Sequence, residues 1–396
     1  MTHPFNASSN ICPGPQKRRG FLKMGLAGFA TLSLPGVLRL RADTEVPRKK
    51  KTSVIMIWKP GGCSHIDTYD PKPNAPSEYR GPFATIPTAV PGLQFTELLP
   101  LQAKLAEKFT VLRSMRHGSP GHPAGSMRMF SGDTDTRDKP KPKLPSWMAV
   151  TKYQRSLEGN RNNPLPSYVS VNGPGGSYNG PAYLGDAYGA YAVTGDPNAP
   201  NFSVPNIGIT DAAKVKHLGR RAALRQKLDT LERAFDQSGE LESLDEFETQ
   251  AMTLLTNQKT KEAFDLTRED EKTRDRYGRN TWGQQLLMAR RLLEAGVHVV
   301  TTSLRGPLCG RVQNWDDHAV NHHVFDALRF RAGTYDQAVS ALIEDIYSRG
   351  LDEQVLVVVT GEFGRTPKVK TNGGRDHWPR LSTLAFSGGG FRMGQV

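Results

Sequence analysis

Three apolar runs, far apart in the chain, are each followed closely by a segment rich in glycine, acidic residues or histidine. The runs lie at residues 53–58, 298–304 and 355–360. Short continuous apolar runs of this kind are typical of strands that are buried on both faces of a sheet. Helical patterns at 281–295 and 325–347 alternate with them. We therefore predict an α/β fold with three layers, in which helices cover both faces of a mostly parallel central sheet.

The first 42 residues have the pattern of an export signal. Paired arginines, Arg18 and Arg19, precede an apolar run at 24–38 that contains no acidic residue. This order is typical of a twin-arginine signal peptide, and the run is too short and too rich in glycine to be read as a membrane span. We expect residues 1–42 to be a signal peptide and the protein to be periplasmic or extracellular. The alternative is an uncleaved signal, which would be the only contact with a membrane.

The charge of the chain is concentrated in this signal. The formal net charge is +13 for the whole sequence, and residues 1–42 contain six Lys and Arg but no Asp or Glu, so +7 remains for the rest. A mildly basic domain can attract anionic substrates. No arginine-rich pattern interleaved with aromatic residues indicates nucleic-acid binding. We expect no nucleic-acid partner.

Residues 43–396 are predicted to form one α/β domain. Residues 131–205 are dominated by Gly, Pro, Asn and Tyr, which predicts a loop-rich insertion over the sheet. Residues 210–261 are charged and punctuated by leucines, which predicts a helical segment. The chain stops just after a strand-like run at 381–386, an ending that suggests a C-terminal truncation.

The first polar segment, residues 61–67, is a candidate for the loop that carries a reacting group. Ser64 or Cys63 can serve as a nucleophile, and His65 and Asp67 can bind a metal or act as a base. The alternative is a polar turn in which Ser64 or Asp67 only caps the following element. The Cys-x-Pro/Ala-x-Arg context that directs formylglycine formation in sulfatases is missing.

The second polar segment, residues 315–323, holds two aspartates and three histidines within nine residues. Asp316 and His318 would converge in an extended turn, whereas His318 and His322 would share one side of a helix. We favour metal binding over a surface cluster of histidines.

The third segment, residues 361–367, follows the most strand-like run in the chain. Glu362 would lie at the carboxyl edge of the sheet as a metal ligand, and Arg365 could clamp a phosphate or sulfate group. The alternative is a Glu362–Arg365 ion pair that holds a turn. Asp376 and His377 follow soon after and add a carboxylate and an imidazole.

Two further histidines and several missing motifs complete the pattern. His117 and His122 lie in a segment rich in Gly and Pro, either as substrate-loop residues or as exposed surface histidines. The sequence has no phosphate-binding loop, dinucleotide fingerprint, His-Glu-x-x-His or Gly-x-Ser-x-Gly motif. These gaps count against nucleotide-binding proteins, zinc peptidases and serine esterases.

Segments 61–73, 315–318, 361–367 and 374–379 together resemble the family called domain of unknown function 1501. The core of that family is similar to the alkaline phosphatase and sulfatase superfamily. The resemblance implies an alkaline-phosphatase-like core, two metal sites fed from strand ends, and attack on a phosphoryl or sulfuryl centre. It implies Ser64 as the nucleophile candidate and Asp67 or His65 as the ligand of the first-strand metal site. With the roles argued above from the residues, our catalytic candidates are Ser64, His65 and Arg365. The resemblance implies metal ligation by Asp67, Asp316, His318, Glu362, Asp376 and His377, although Glu362 departs from the Asp-His pair usual at that strand.

Our hypothesis from the sequence is an exported, metal-dependent hydrolase of phosphate or sulfate esters. The cofactor would be a divalent metal, with zinc as the first choice and calcium or magnesium as alternatives. The substrate would be an anionic small-molecule or polysaccharide ester. The rival is a non-catalytic cell-surface or polysaccharide-binding protein, because residues 172–192 are rich in Gly, Tyr and Asn and suit carbohydrate contact. The oligomeric state is not indicated by the sequence.

Overall fold

A computed structural model describes the chain at residues 51–158, 163–174, 178–205, 207, 220, 252, 254–305, 314–316, 318–319 and 323–396. The predicted signal peptide, and most of the helical segment predicted at 210–261, lie outside these residues. Within the described ranges, no helix is long and apolar enough to cross a membrane.

A seven-stranded sheet forms the centre of the domain. The strands in chain order are β1 (Ser53–Trp58), β2 (Thr85–Pro87), β3 (Gln94–Thr96), β4 (Thr110–Met115), β5 (Tyr168–Val171), β6 (Tyr191–Val193), β7 (Val299–Ser303), β8 (Val355–Thr360), β9 (Gly364–Arg365), β10 (His377–Trp378) and β11 (Ser382–Gly388). The central sheet has the order β4-β11-β8-β1-β7-β5-β6. Strand β1 pairs in parallel with β7 and β8, β5 pairs in parallel with β6 and β7, and β11 runs antiparallel to β4 and β8. The mostly parallel sheet is thus confirmed, with β11 alone in the central sheet running against the others.

Helices cover both faces of this sheet. The α-helices of the described chain are α1 (Ser77–Arg80), α2 (Pro100–Lys104), α3 (His122–Ser131), α4 (Trp147–Leu157), α5 (Gln258–Phe264), α6 (Glu271–Tyr277), α7 (Thr281–Glu294) and α8 (Val324–Ser348). Helices α7 and α8 pack against each other, α7 also packs on β1 and β7, and α4 packs on β5 and β7. The helices predicted at 281–295 and 325–347 correspond to α7 and α8.

The side chains of β1 alternate between two separate hydrophobic cores. Ile55 and Ile57 are fully buried in the larger core, which contains the apolar residues of α7 and α8. Met56 and Trp58 are buried in a smaller core with Phe130 of α3 and others. Because successive side chains of a strand point to opposite faces, the two cores are the two faces of the sheet. The predicted three-layer architecture is confirmed.

The structure corrects the prediction for residues 131–205. This region contains helix α4, and it supplies two strands of the central sheet, β5 and β6, rather than only a layer of loops over it. Each strand has at most four residues and lies between segments rich in Gly, Pro and Asn. Runs this short give no periodic signal that a sequence pattern can detect.

The topology brings several chain segments to one edge of the sheet. The segments after β1, β4, β7 and β8 begin at the carboxyl ends of strands that run in the same direction. Because β11 runs in the opposite direction, the β10 strand that precedes it lies at the same edge. The polar segments noted in the sequence therefore meet there, as expected for the ligand-binding edge of an open α/β sheet.

Candidate metal centre

Four side chains from three of these segments converge on one point at this edge. They are His122, Asp316, His318 and His377, and each offers one ligand atom such that all four atoms lie within 4.8 Å of one another. No other group of three or more His, Cys, Asp or Glu side chains in the described part of the chain meets this geometry. The structure thus brings together Asp316, His318 and His377 of the predicted ligands, and adds His122.

Local structure explains how three of these residues reach the point. His122 is the first residue of α3, where Pro123 is well placed because the first turn of a helix needs no N–H from it. His377 lies opposite Arg365 in the β9–β10 pair. Asp316 follows Trp315, whose N–H donates to the carbonyl of Pro60 at 2.7 Å.

A glycine permits the close approach of the segment that carries Asp316. Gly61 has a φ of +102°, and a Cβ atom there would lie only 2.4 Å from the backbone nitrogen of Asp316. Any other residue would both strain the backbone and push Asp316 away.

The carboxylate of Asp316 lies between the three imidazoles. Its Oδ1 is 2.7 Å from His318 Nε2 and 3.2 Å from His377 Nε2. Its Oδ2 is 3.1 Å from His122 Nε2. Each histidine therefore turns its Nε2 atom inwards.

The outward Nδ1 atoms of the same histidines face oxygen acceptors. His122 Nδ1 is 2.7 Å from Glu362 Oε1, and His377 Nδ1 is 2.8 Å from the carbonyl oxygen of Pro120. His318 Nδ1 is 3.5 Å from Asp376 Oδ1. Because a carbonyl or carboxylate oxygen can only accept, Nδ1 of His122 and of His377 carries the proton, which leaves the Nε2 of a neutral ring free to bind a metal.

This arrangement fits a divalent cation. His318 Nε2 and His377 Nε2 lie 2.7 Å apart, and two lone pairs at that distance repel unless a proton or a cation lies beside them. Imidazole nitrogens and carboxylate oxygens are ligand types that zinc and similar transition metals bind. Calcium and magnesium prefer oxygen ligands, so they fit this set less well.

Neighbouring charges shift the pKa values of three side chains in this group. Burial would raise the pKa of Asp316, but hydrogen bonds from His122, His377 and Arg365 outweigh it and hold the pKa well below its usual range. Burial would lower the pKa of His122, but its bonds to Asp316 and Glu362 raise the pKa to about 9. Burial and the nearby Arg365 charge lower the pKa of His318. A cation at the centre therefore competes with the proton on His122.

Glu362 and Asp376, both predicted as metal ligands, lie outside the four-residue group. Glu362 is buried, and its Oε1 accepts hydrogen bonds from His122 Nδ1 and from the backbone N–H of Gly61, both at 2.7 Å. Asp376 pairs with Lys370 at 2.6 Å and only approaches the outer side of His318. Glu362 therefore orients His122 from behind, as a carboxylate often does for a histidine that binds a metal.

The guanidinium of Arg365, predicted as a clamp for an anionic substrate group, bonds to groups of the protein itself. Its side chain is fully buried, and its guanidinium donates to the carbonyl oxygens of Gly62 at 2.7 Å and Arg375 at 3.0 Å. A further bond, at 2.5 Å, goes to Asp316 Oδ1. The predicted alternative, an ion pair with Glu362, is not formed either, because Arg365 binds the loop after β1 to Asp316.

Asp67 and Ser64, predicted as ligand and nucleophile, lie in a separate buried cluster. Asp67 Oδ2 accepts a 2.5 Å bond from Ser64 Oγ and a 2.8 Å bond from Arg375 Nε, while its Oδ1 is 3.1 Å from the same guanidinium. All three side chains are fully buried. Burial raises the pKa of Asp67, and the Arg375 charge opposes that rise. Neither Ser64 nor Asp67 belongs to the four-residue group.

His65 is buried beside this cluster, and neither of its ring nitrogens has a hydrogen-bond partner in the described structure. Burial, with the Arg375 charge second, lowers its pKa from 6.5 to about 3. It is therefore neutral in the folded protein over the physiological range, and it lies outside the four-residue group.

We expect this histidine to make the protein sensitive to acid. Its pKa is lowered on folding, so the unfolded chain takes up a proton below pH 6.5 that the folded chain refuses until about pH 3. Stability is therefore fully present above pH 6.5, and the contribution of this residue should fall by about 2 kcal/mol between pH 7 and pH 5. Urea unfolding with a chelator present, at both pH values, measures this. His65→Leu should flatten the difference, and an equal pH dependence in both proteins would rule out His65 as its source.

His122 belongs to the four-residue group, although its sequence context predicted a substrate-loop residue or an exposed surface histidine. The available signal was its position after β4, whose carboxyl end lies at the same edge as those of β1 and β8. His117, the other candidate of that segment, donates from Nε2 to the backbone carbonyl of Glu362 at 2.5 Å and accepts from the N–H of Ser119. It supports Glu362 instead of binding a metal.

A cleft opens beside the four-residue group and has a volume of about 870 Å³. His122, Asp316 and Glu362 form part of its wall. The remainder comes largely from the carboxyl ends of β1, β5, β6 and β7 and from the start of α7. A space of this size holds a small organic molecule next to the metal ligands.

Comparisons with known proteins identify a family and several distant structures. The family described as "Protein of unknown function (DUF1501)" matches residues 51–396. No curated protein matches the chain. The solved structure of Ps i-CgsB is similar with a TM-score of 0.41 at 12% identity, over 87% of this chain and 68% of that one.

Two further solved structures have comparable scores. The lipoteichoic acid synthase LtaP from Listeria monocytogenes has a TM-score of 0.39 at 8% identity, over 87% of this chain and 67% of that one. The PsFucS1 sulfatase from Pseudoalteromonas sp. has a TM-score of 0.39 at 11% identity, over 96% of this chain and 68% of that one. These are distant likenesses.

Proposed function

The chain belongs to the DUF1501 family of proteins of unknown function, and from its site we propose that it is a metal-dependent hydrolase of phosphate or sulfate esters. The observation that carries the proposal is the convergence of three inward-facing Nε2 atoms and one carboxylate at the sheet edge, beside an open cleft. The type of ester is the part of the proposal that comes from the sequence resemblance to the alkaline phosphatase and sulfatase superfamily.

The residues of the centre have distinct tasks in this proposal. His122, Asp316, His318 and His377 would hold the metal, and zinc is the metal we propose. When bound, the metal would polarise the ester and lower the pKa of a water molecule that attacks it. Glu362 holds His122 in the tautomer that exposes Nε2, and the carbonyl of Pro120 does the same for His377. Water is the proposed nucleophile because the hydroxyl of Ser64 is fully buried.

Export belongs to the same proposal. It rests on the paired arginines, Arg18 and Arg19, and on the apolar run that follows them. Cell fractionation tests it, and a chain that stays in the cytoplasm of cells with an active twin-arginine pathway would contradict it.

The test of the activity is metal analysis combined with a substrate panel. We expect purified protein to contain about one zinc ion per chain and to hydrolyse at least one aryl phosphate or aryl sulfate. A chelator should remove both the metal and the turnover, and added zinc should restore them. Protein that is folded but has neither bound metal nor turnover would sink the proposal.

A second candidate function is non-catalytic binding of a polysaccharide. Asn172, Gly173, Pro174 and Tyr178, all from the segment that suits carbohydrate contact, line the same cleft. Glycan binding that is undiminished in a His318→Ala protein, together with an absence of turnover in the unaltered chain, would favour this candidate over the hydrolase.

A further inference from the structure

Helix α3 presents three residues in a line towards the sheet. His122, Ser126 and Phe130 follow one another at four-residue spacing and so lie on one side of the helix. His122 is a member of the metal group, and the ring of Phe130 packs on the ring of Trp58 with centroids 4.4 Å apart. Ser126 therefore lies between the metal centre and the apolar contact with β1.

Strand β7 brings a second serine to the same side. Ser303 is the register partner of Trp58 in the parallel β1–β7 pair. Register partners in adjacent strands direct their side chains to the same face of a sheet. Ser303 therefore points towards the face that α3 covers, next to Trp58.

Both serines line the cleft while being almost completely buried. Ser126 is 3% exposed and Ser303 is 4% exposed. As lining residues of the cleft, both serines can offer a hydroxyl donor to a molecule that binds there.

Few cationic side chains line the cleft, so an anion bound there would depend on neutral hydrogen-bond donors. The guanidinium of Arg365, the predicted clamp for an anion, is buried and donates its hydrogen bonds to Gly62, Arg375 and Asp316. Among the described residues of the lining, Arg305 is the only lysine or arginine, and its side chain is exposed. An anionic group that reaches the metal centre would thus meet hydroxyls rather than a buried guanidinium.

We propose that Ser126 and Ser303 contact the substrate and donate hydrogen bonds to the non-bridging oxygens of its sulfate or phosphate group. This inference rests on the proposed function, because the oxyanion is taken to be the group attacked at the metal centre. It assigns to two residues outside every predicted site a role in binding the substrate, and it leaves the metal ligands unchanged.

The experiment measures oxyanion binding separately from metal binding. Zinc-loaded protein is titrated calorimetrically with inorganic phosphate and, in a second arm, with inorganic sulfate. Ser126→Ala and Ser303→Ala should each weaken binding of the preferred oxyanion by roughly 10-fold, as expected for a lost hydrogen bond to a charged group. Zinc affinity and Tm should stay at the level of the unaltered protein. In turnover, the KM for the ester should rise by a similar factor.

Ser64→Ala is the matched control, since it removes the same group from a buried serine outside the cleft. It should lower Tm and leave oxyanion binding unchanged. Ser126→Cys fills the volume of the hydroxyl with a weak donor, so it should behave like Ser126→Ala if the hydrogen bond matters rather than the packing.

The outcomes separate this inference from the proposed function. If both alanine variants bind the oxyanion as tightly as the unaltered protein, the inference is wrong and the proposed hydrolase function is unaffected. Loss of zinc from the alanine variants would also overturn it, because the serines would then support the metal site. Binding weakened as expected, in a protein without esterase activity, would support the oxyanion contact and contradict the proposed reaction. If the zinc-loaded protein binds neither oxyanion, the inference fails as well.

Discussion

Replacing His318 by alanine is expected to lower the zinc affinity of the protein by more than about 100-fold. Changing a group that only orients a ligand typically costs about 10-fold to 100-fold, and loss of a ligand itself should cost more. His318 is the histidine whose Nε2 lies 2.7 Å from both Asp316 Oδ1 and His377 Nε2. Competition with a chromophoric chelator at neutral pH measures the affinity directly, without reference to any substrate.

Two companion variants make this result specific. His323→Ala removes an exposed histidine that lies outside the four-residue group, so its zinc affinity should match that of the unaltered protein. Glu362→Gln retains an oxygen that can accept from His122 but removes the charge, and it should weaken zinc binding by about 10-fold to 100-fold. Equal affinities for His318→Ala and His323→Ala would show that the metal, if one binds, is elsewhere.

The architecture could be predicted from the sequence because its strongest patterns are local. The runs at Ser53–Trp58 and Val355–Thr360 coincide with β1 and β8, and the long helices α7 and α8 have clear apolar stripes. The strands β5 and β6 could not be predicted, because their few residues lie among glycines and prolines. Their place in the sheet is set by pairing with β7, which is a long-range contact.

The location of the site could be predicted from the sequence, but not all of the residues that form it. Strand ends of a parallel sheet must meet at one edge, which is why Asp316, His318 and His377 were found together. Whether a carboxylate at that edge points towards the centre depends on which basic side chain it pairs with. Asp67 turns away to Arg375, and Glu362 turns to His122, and neither arginine nor histidine partner could be identified from the spacing of residues along the chain.

Two buried arginines therefore give the site its form. Arg365 joins the loop after β1 to Asp316, and Arg375 joins the same loop to the segment before β10. Sequence reasoning treated the arginine in the 361–367 segment as a group for the substrate, because an arginine near a strand end often binds anions. Complete burial gives it the other common use of arginine, which is to satisfy several carbonyl oxygens at a crossing of loops.

Asp67→Asn is expected to lower the free energy of unfolding by about 3–5 kcal/mol, the usual cost when one member of a buried ion pair is removed. Arg375 would keep its charge, fully buried, without the carboxylate that now binds it at 2.8 Å. Urea unfolding with a chelator present measures the change independently of any metal. Asp326→Asn is the matched control, because its partner Arg329 is 3.3 Å away at the surface and exposed pairs contribute about 0–1 kcal/mol. Zinc affinity should be unaltered in Asp67→Asn, because Asp67 lies outside the metal group. If Asp67→Asn is as stable as the unaltered chain but binds zinc poorly, Asp67 is a metal ligand. The Asp67–Arg375 pair would then not have the structural role argued here.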